Sequence, residues 1–306
     1  MTSNASHDHG QTHGSRAHHA DRQPGDEGHW EAVLAHIELE NEVFSCVLTG
    51  TLDRIRELRA DAPAIRRIVD IGPGPGVGSC ILAETFPTAN VTAVDSSPAM
   101  LSRVGERTTA RGIADRVTTL QAELPGGLDG LVDIDLVWAS MVLHHIGNEA
   151  AALQAIHDVM APGGIIAIAE FGDPTRVLPD DIGLGRPGLA DRIEAVGERR
   201  IAAMREQLAD STVSATYPTM LAAAGFEVLD DRVVAARLDG PPTEQVRRLA
   251  LGHVLRSREQ FGDGLDADDL STLDSLSDPD DPRGVMHRAD VVATSSRHVF
   301  IAQKPS

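Results

Sequence analysis

Residues 65–87 read "IRRIVDIGPGPGVGSCILAETFP". A short β-branched apolar run ends at Asp70. Four glycines and two prolines fill residues 72–78, and a helix-like run follows. Glycine at such a turn admits positive φ and lets a ligand come close to the backbone. A strand, a glycine turn and a helix in that order open the ligand site of a doubly wound sheet, at the carboxyl ends of the strands where the strand order reverses.

The neighbouring segments repeat this unit. "NVTAVDSS" (90–97), "RVTTLQAEL" (116–124), "DIDLVWASMVL" (133–143) and "GIIAIAEFG" (164–172) read as strands. "SPAMLSRVGERTTARG" (97–112) and "NEAAALQAIHDVMAPGG" (148–164) read as helices. Ser97 is expected at an N-cap, Pro98 in the first turn and Gly112 at the end. Pro162 and the two glycines after it stop the later helix. The alternation predicts an α/β fold with a parallel, doubly wound sheet and right-handed crossovers. It lapses after Gly172, resumes as helix and long strand in "YPTMLAAAGFEVLDDRVVAARL" (217–238), and closes on the apolar "SRHVFIAQKP" (296–305).

Insertions at about 173–212 and 241–290 therefore interrupt one sheet, in a domain over residues 61–306. Ahead of it, residues 29–60 place apolar side chains at three- and four-residue steps, among them Val33, Leu34, Ile37, Phe44, Leu52 and Ile55. That pattern predicts a helical cap, broken near Gly50. Residues 1–28 show no apolar face and predict a disordered, His-rich tail. Its histidines fit no compact ligand spacing, so no metal site is expected. The acid clusters "GDGLDADDLSTLD" and "SDPDDP" miss the EF-hand spacing and read as helix caps.

The 306 residues carry a formal net charge of −19, which argues against a nucleic-acid partner because phosphate contacts need clustered Lys and Arg. Two cysteines, Cys46 and Cys80, build no disulfide framework. The polar start predicts no secretory leader, and no apolar run approaches the roughly 20 residues of a membrane helix. The expectation is a cytoplasmic protein without a membrane partner.

The glycine turn admits two ligand classes, a dinucleotide or S-adenosylmethionine. Asp70, just before the glycines, would repel a pyrophosphate and suits a cationic amino-acid end. Asp95 closes the second strand, where a carboxylate accepts ribose hydroxyls in either class. Glu123 follows the third strand and is the candidate for an adenine amino group, with Ala122 leaving room.

Together "VDIGPGPGVG", "VTAVDSSPAML", "DIDLVWASMVLHHI" and "MAPGGIIAIAE" resemble the successive motifs of class I S-adenosylmethionine-dependent methyltransferases, over roughly residues 60–172. The whole chain is also similar to a group of actinobacterial methyltransferase-like proteins. The resemblance implies a Rossmann-like, seven-stranded sheet whose last strand is antiparallel and inserted between the fifth and sixth. It implies S-adenosyl-L-methionine as cofactor, with Asp70, Gly72, Gly74 and Gly76 at the methionine end and Asp95 with Ser96 at the ribose. It places Ala122 and Glu123 at the adenine, and Ala139 and Ser140 among the further contacts. The family's adenine acid is usually Asp, so Glu123 departs from the pattern by one methylene.

Methyl transfer from a sulfonium is an in-line displacement in which the protein mainly positions the nucleophile. "LHHI" sets His144 and His145 at the substrate edge of the sheet, one of them facing the pocket; His145 is the preferred base, with His144 beside it and Glu170 as the second candidate. A lid over a small-molecule acceptor is expected from the helix around Glu38, Asn41 and Glu42 and from both insertions. Arg176 and Arg186 either steer an acidic substrate or pair with Asp180, Asp181 or Asp191. A homodimer through the insertions is compatible with this layout. Two other readings remain open: the same fold and cofactor site serving a rearrangement or a binding role, and a nicotinamide oxidoreductase, which Asp70 disfavours.

Overall fold

The computed structural model describes residues 27–207, 216–238 and 240–306; the disorder expected of residues 1–28 lies outside them as far as residue 26, whereas Glu27 and Gly28 already belong to the first helix, Glu27–Val43. Seven strands form one sheet: β1 (Arg67–Ile71), β2 (Asn90–Asp95), β3 (Val117–Gln121), β4 (Ile134–Ser140), β5 (Met160–Phe171), β6 (Glu227–Arg237) and β7 (Thr294–Gln303). Their order is β3-β2-β1-β4-β5-β7-β6. The first five pair in parallel, and β7 runs antiparallel between β5 and β6. The strand order reverses between β1 and β4, so the ligand crevice of the fold opens beyond Ile71 and Ser140.

Helices cover both faces: α1 (Glu27–Val43), α2 (Cys46–Leu58), α3 (Val77–Thr85), α4 (Pro98–Ala110), α5 (Glu149–Val159), α6 (Leu189–Gln207), α7 (Tyr217–Ala223), α8 (Glu244–Phe261) and α9 (Ala267–Ser277). Successive residues of β5 feed opposite cores. Ile165, Ala167 and Ala169 pack with Leu52, Ile55 and Leu82 on one side; Ile166 and Ile168 pack with Leu153 and Ile156 on the other. This is why β5 is an unbroken apolar run rather than an alternating one. Each fully buried Ile or Leu contributes roughly 1.5–3 kcal/mol.

Local sequence explains the element ends. Ser97 accepts the Met100 amide and Pro98 occupies the first turn of α4. Asn148 caps α5 through Ala151 N, and Asp266 caps α9 through the Asp268 and Asp269 amides. The break expected at Gly50 falls instead between Val43 and Cys46. Gly50 lies inside α2 with open space where a side chain would stand, so nothing there forces a turn. The direction changes earlier because α1 packs on α8 and α3, whereas α2 packs on β6 and β7.

Candidate active site

After β1 the chain passes through three left-handed glycines, Gly72 (φ +63°), Gly74 (+52°) and Gly76 (+84°). A Cβ on Gly72 would stand 2.3 Å from Val142 Cγ2, and one on Gly76 3.0 Å from the Val104 backbone. Both the dihedral and the packing exclude a side chain at either position. The turn is held from outside by Arg107 of α4. Its Nε donates to the Pro75 carbonyl at 3.2 Å, and its guanidinium reaches Glu42 at 3.0 Å and Glu38 on α1. Glu38 and Glu42, read as lid residues, thus fasten α1 to the glycine turn, while Asn41 between them faces the cleft.

Asp70 is 2% exposed. Its Oδ2 accepts a 2.5 Å hydrogen bond from Ser79 Oγ. Burial, aided by the Asp95 charge and opposed by the Ser79 bond, pushes its carboxyl up to about 7. Among the described residues the hydrogen-bond partner of this carboxylate is the Ser79 hydroxyl, and no cation acts on it. A Cβ on Gly78 would stand 3.5 Å from Asp70 Oδ2 and 3.7 Å from Trp138 Nε1, so glycine keeps the space before the carboxylate open. The resulting cleft, about 80 Å³, is lined by Asp70, Gly72, Gly78, Asn41, Trp138 and Ser140. A buried carboxylate without a cation, beside backbone that only glycine permits, fits the ammonium end of S-adenosylmethionine and not a pyrophosphate.

The other expected cofactor residues divide. Asp95 ends β2 with its Oδ1 accepting from Ser97 N at 2.8 Å, and the Ala122 amide donates to the Asp95 carbonyl at 3.1 Å. Asp95 and Ala122 are therefore neighbours. Ser96 is exposed beside them. Ala139 is fully buried in the core beneath the cleft, in register with Ile71, and offers backbone only. Glu123 is exposed in the loop after β3 and lines no part of the cleft around Asp70. Gly78 and Trp138 are among the cleft residues that the motif reading passed over, as are Glu40, Met141 and Arg297. Gly78 is the fourth glycine of the quoted run, and Trp138 lies two residues before Ser140 on the same side of β4.

Met141 leaves β4 at φ +53° and turns the chain into a 3₁₀ segment, Leu143–His145. A non-glycine residue in this region is an unusual and costly conformation. Here it delivers His144 onto β5: His144 Nδ1 lies 2.6 Å from Glu170 Oε2. Glu170 is held in turn, its Oε1 accepting from Leu143 N at 3.0 Å and Val142 N at 3.3 Å. With Nδ1–H donating to the carboxylate, Nε2 of His144 presents a lone pair. His145, the residue preferred on sequence grounds, is exposed, its ring 4.0 Å from that of His144. The backbone twist of the 3₁₀ turn, which sequence spacing does not show, brings His144 rather than His145 onto Glu170.

Of the two arginines considered for steering, Arg176 meets Asp180, Asp191 and Glu194 at 3.7, 2.6 and 3.0 Å. Arg186 meets Asp266, Asp268 and Asp269 on α9. Both are engaged by acids rather than presented to a ligand. Among the described residues no group of three or more His, Cys, Asp or Glu is placed to hold a metal ion, and no helix is long and apolar enough to cross a membrane.

Residues 69–166 match the family model described as a methyltransferase domain. A trans-aconitate 2-methyltransferase of Methylobacterium radiotolerans is 31% identical over 179 residues, covering 56% of this chain and 63% of that protein. A malonyl-acyl-carrier-protein O-methyltransferase of Laribacter hongkongensis is 32% identical over 145 residues, covering 45% and 46%. The chain thus spans less than two thirds of the length of these relatives. The solved N-methyltransferase NodS of Bradyrhizobium japonicum aligns at 13% identity with a TM-score of 0.40, over 89% of this chain and 86% of its own. The sheet order, the glycine turn with its buried Asp70 and the matched domain agree: residues 69–166 are similar to the methyltransferase domain of class I S-adenosylmethionine-dependent methyltransferases.

Proposed function

We propose that the protein transfers the methyl group of S-adenosylmethionine to the oxygen or nitrogen of a small-molecule acceptor, with His144 as general base. The observation that carries this reading is the carboxylate-held His144, 2.6 Å from Glu170, at the end of the strand beside the cofactor cleft. When bound, S-adenosylmethionine supplies a methyl group on a cationic sulfur and departs as the neutral thioether once the acceptor's lone pair has taken the methyl. Asp70 holds the ammonium, and Asp95 accepts the ribose hydroxyls. Nε2 of His144 takes the proton that the acceptor's O–H or N–H loses, and Glu170 fixes the tautomer and stabilises the imidazolium. His145 and Glu123 have no part in this arrangement.

Calorimetric titration with S-adenosylhomocysteine and NADH, with Asp95→Ala as control, tests the cofactor half. Micromolar binding of the adenosyl ligand alone, lost in the variant, is expected. NADH binding would overturn the reading. Incubation with S-adenosylmethionine and an acceptor panel that includes trans-aconitate tests the chemistry. Accumulation of S-adenosylhomocysteine that depends on both acceptor and His144 is the expected result.

A further inference from the structure

Phe171 follows Glu170, and its ring lies 4.5 Å from that of His144. It is 64% exposed at the end of β5. Beside it opens a cavity of about 430 Å³, far larger than the cofactor cleft and sharing no described lining residue with it. Its size falls within the range of roughly 300–1,000 Å³ typical of small-molecule sites. The walls come from both insertions: the segment after Phe171, α6, α8 and Leu273 of α9.

Two contacts tie this cavity to the reacting centre. Phe171 belongs to the cavity wall and packs on His144. Thr175, also in the wall, donates to Glu40 at 3.0 Å, and Glu40 lines the cofactor cleft. The cavity therefore lies against the base at one point and against the cleft at another.

The lining decides what fits. Val177, Leu178, Ile193, Val254, Phe261 and Leu273 make it predominantly apolar. Its cation, Arg176, is bound by Asp180, Asp191 and Glu194. Glu194 and Glu198 add negative charge to the wall. An incoming carboxylate would exchange water for a site with no cation to spare among the described lining residues, a costly transfer. His253 and Ser257, one turn apart on α8, supply polar handles. Burial, with the Arg256 charge, pushes the His253 imidazole down to about 4, so it meets a ligand neutral.

We propose that this cavity binds the body of the methyl acceptor, an uncharged and largely apolar small molecule whose nucleophilic end emerges past Phe171 at His144. The acceptor role rests on the methyltransferase reading above; the ligand class rests on the cavity alone.

The test uses the whole protein and one neutral probe, 4-(hydroxymethyl)benzophenone, with tricarballylate as a polyanionic comparison of the opposite chemistry. Calorimetry is expected to give micromolar binding of the probe and none of tricarballylate. Gly197→Leu grows a side chain towards the Phe261 ring, 3.5 Å from where its Cβ would stand, at a helical position where leucine is favoured over glycine. It is expected to weaken probe binding at least tenfold while S-adenosylhomocysteine binding stays unchanged, which also shows that the variant is folded. Ultraviolet crosslinking of the wild type is expected to place the adduct within residues 171–178 or 253–261. Absent probe binding, binding unchanged in Gly197→Leu, adducts elsewhere, or equal affinity for tricarballylate would each overturn the proposal. If Gly197→Leu fails to bind S-adenosylhomocysteine, the adduct position in the wild type decides. Probe binding at the cavity in a wild type that does not bind S-adenosylhomocysteine would sink the methyltransferase reading and leave the cavity's chemistry standing.

Discussion

Asp70 is where residue-level chemistry and ligand identity meet. Its carboxyl titrates near 7 in the folded protein and near 3.8 in an unfolded chain, because burial penalises the charged form. Between these values the folded state holds a proton that the unfolded state has released. Stability is therefore lost as pH rises from about 4 to about 7, the reverse of a salt-bridged acid. An ammonium group docking on Asp70 removes that penalty. The stabilisation conferred by S-adenosylhomocysteine should thus grow between pH 6 and pH 8 in thermal melts. Asp70→Asn should raise the unliganded stability at pH 8 by more than about 1 kcal/mol and abolish the ligand's effect; a variant that melts lower and still binds would refute the assignment. His144 and Glu170 form the other residue-scale unit. Glu170→Gln turns an amide donor onto Nδ1 and moves the proton to Nε2, where it blocks base action. Together with His144→Gln it should lower kcat on an alcohol acceptor by about 100- to 10,000-fold without changing the KM for S-adenosylmethionine. An acceptor already ionised should lose little, an outcome that a merely structural role would not produce.

Arg107 shows how much of the site belongs to elements rather than motifs. The glycine run was legible because flexible residues behind a strand-end acid have few structural uses. The adjoining strands were legible because fully buried parallel strands are continuous apolar runs. The clamp was not legible, since an arginine near the end of α4 reads as a favourable last-turn charge in any helix. Its partners Glu38, Glu42 and Pro75 lie far away in sequence and are brought together only by the α1–α3–α4 packing. For the same reason Gly50 misled: helix breaks follow the change of packing partner, and a surface glycine marks none. Arg107→Met keeps the aliphatic stem and removes the ties. It should cost about 1–3 kcal/mol, less than a fully buried pair because Glu38 and Glu42 are partly exposed, and weaken S-adenosylhomocysteine about tenfold by loosening the turn. Chemical denaturation and calorimetry read the two effects separately.

Over the whole molecule, the sheet follows from alternation, handedness and one antiparallel strand, β7, inserted late in the chain between β5 and β6. The arrangement of the insertions does not follow, because it depends on charges that each segment could have left in water. Asp269 on α9 is the joint. Its side chain is 3% exposed, and it accepts from Arg192 on α6 at 2.6 and 2.8 Å and from Arg186 at 3.2 Å. One carboxylate thus locks the first insertion onto the second, and these two segments wall the apolar cavity. The Arg192 hydrogen bonds hold the Asp269 carboxyl below the usual carboxylate range. Its contribution to stability is therefore present above about pH 4 and disappears as pH falls through the folded value. Asp269→Asn should lower stability at pH 7 by about 2–3 kcal/mol, less than a fully buried pair because both arginines are partly exposed. The gap between variant and wild type should close as the pH is taken down towards 3, measured by urea unfolding across the series. At pH 7 the same variant should bind the neutral benzophenone probe more weakly while keeping its affinity for S-adenosylhomocysteine, since Asp269 ties together the segments that wall the cavity and has no bond to the glycine turn. A stability gap that persists unchanged at pH 3, or a parallel loss of both ligands, would show that the two insertions are not joined through this carboxylate.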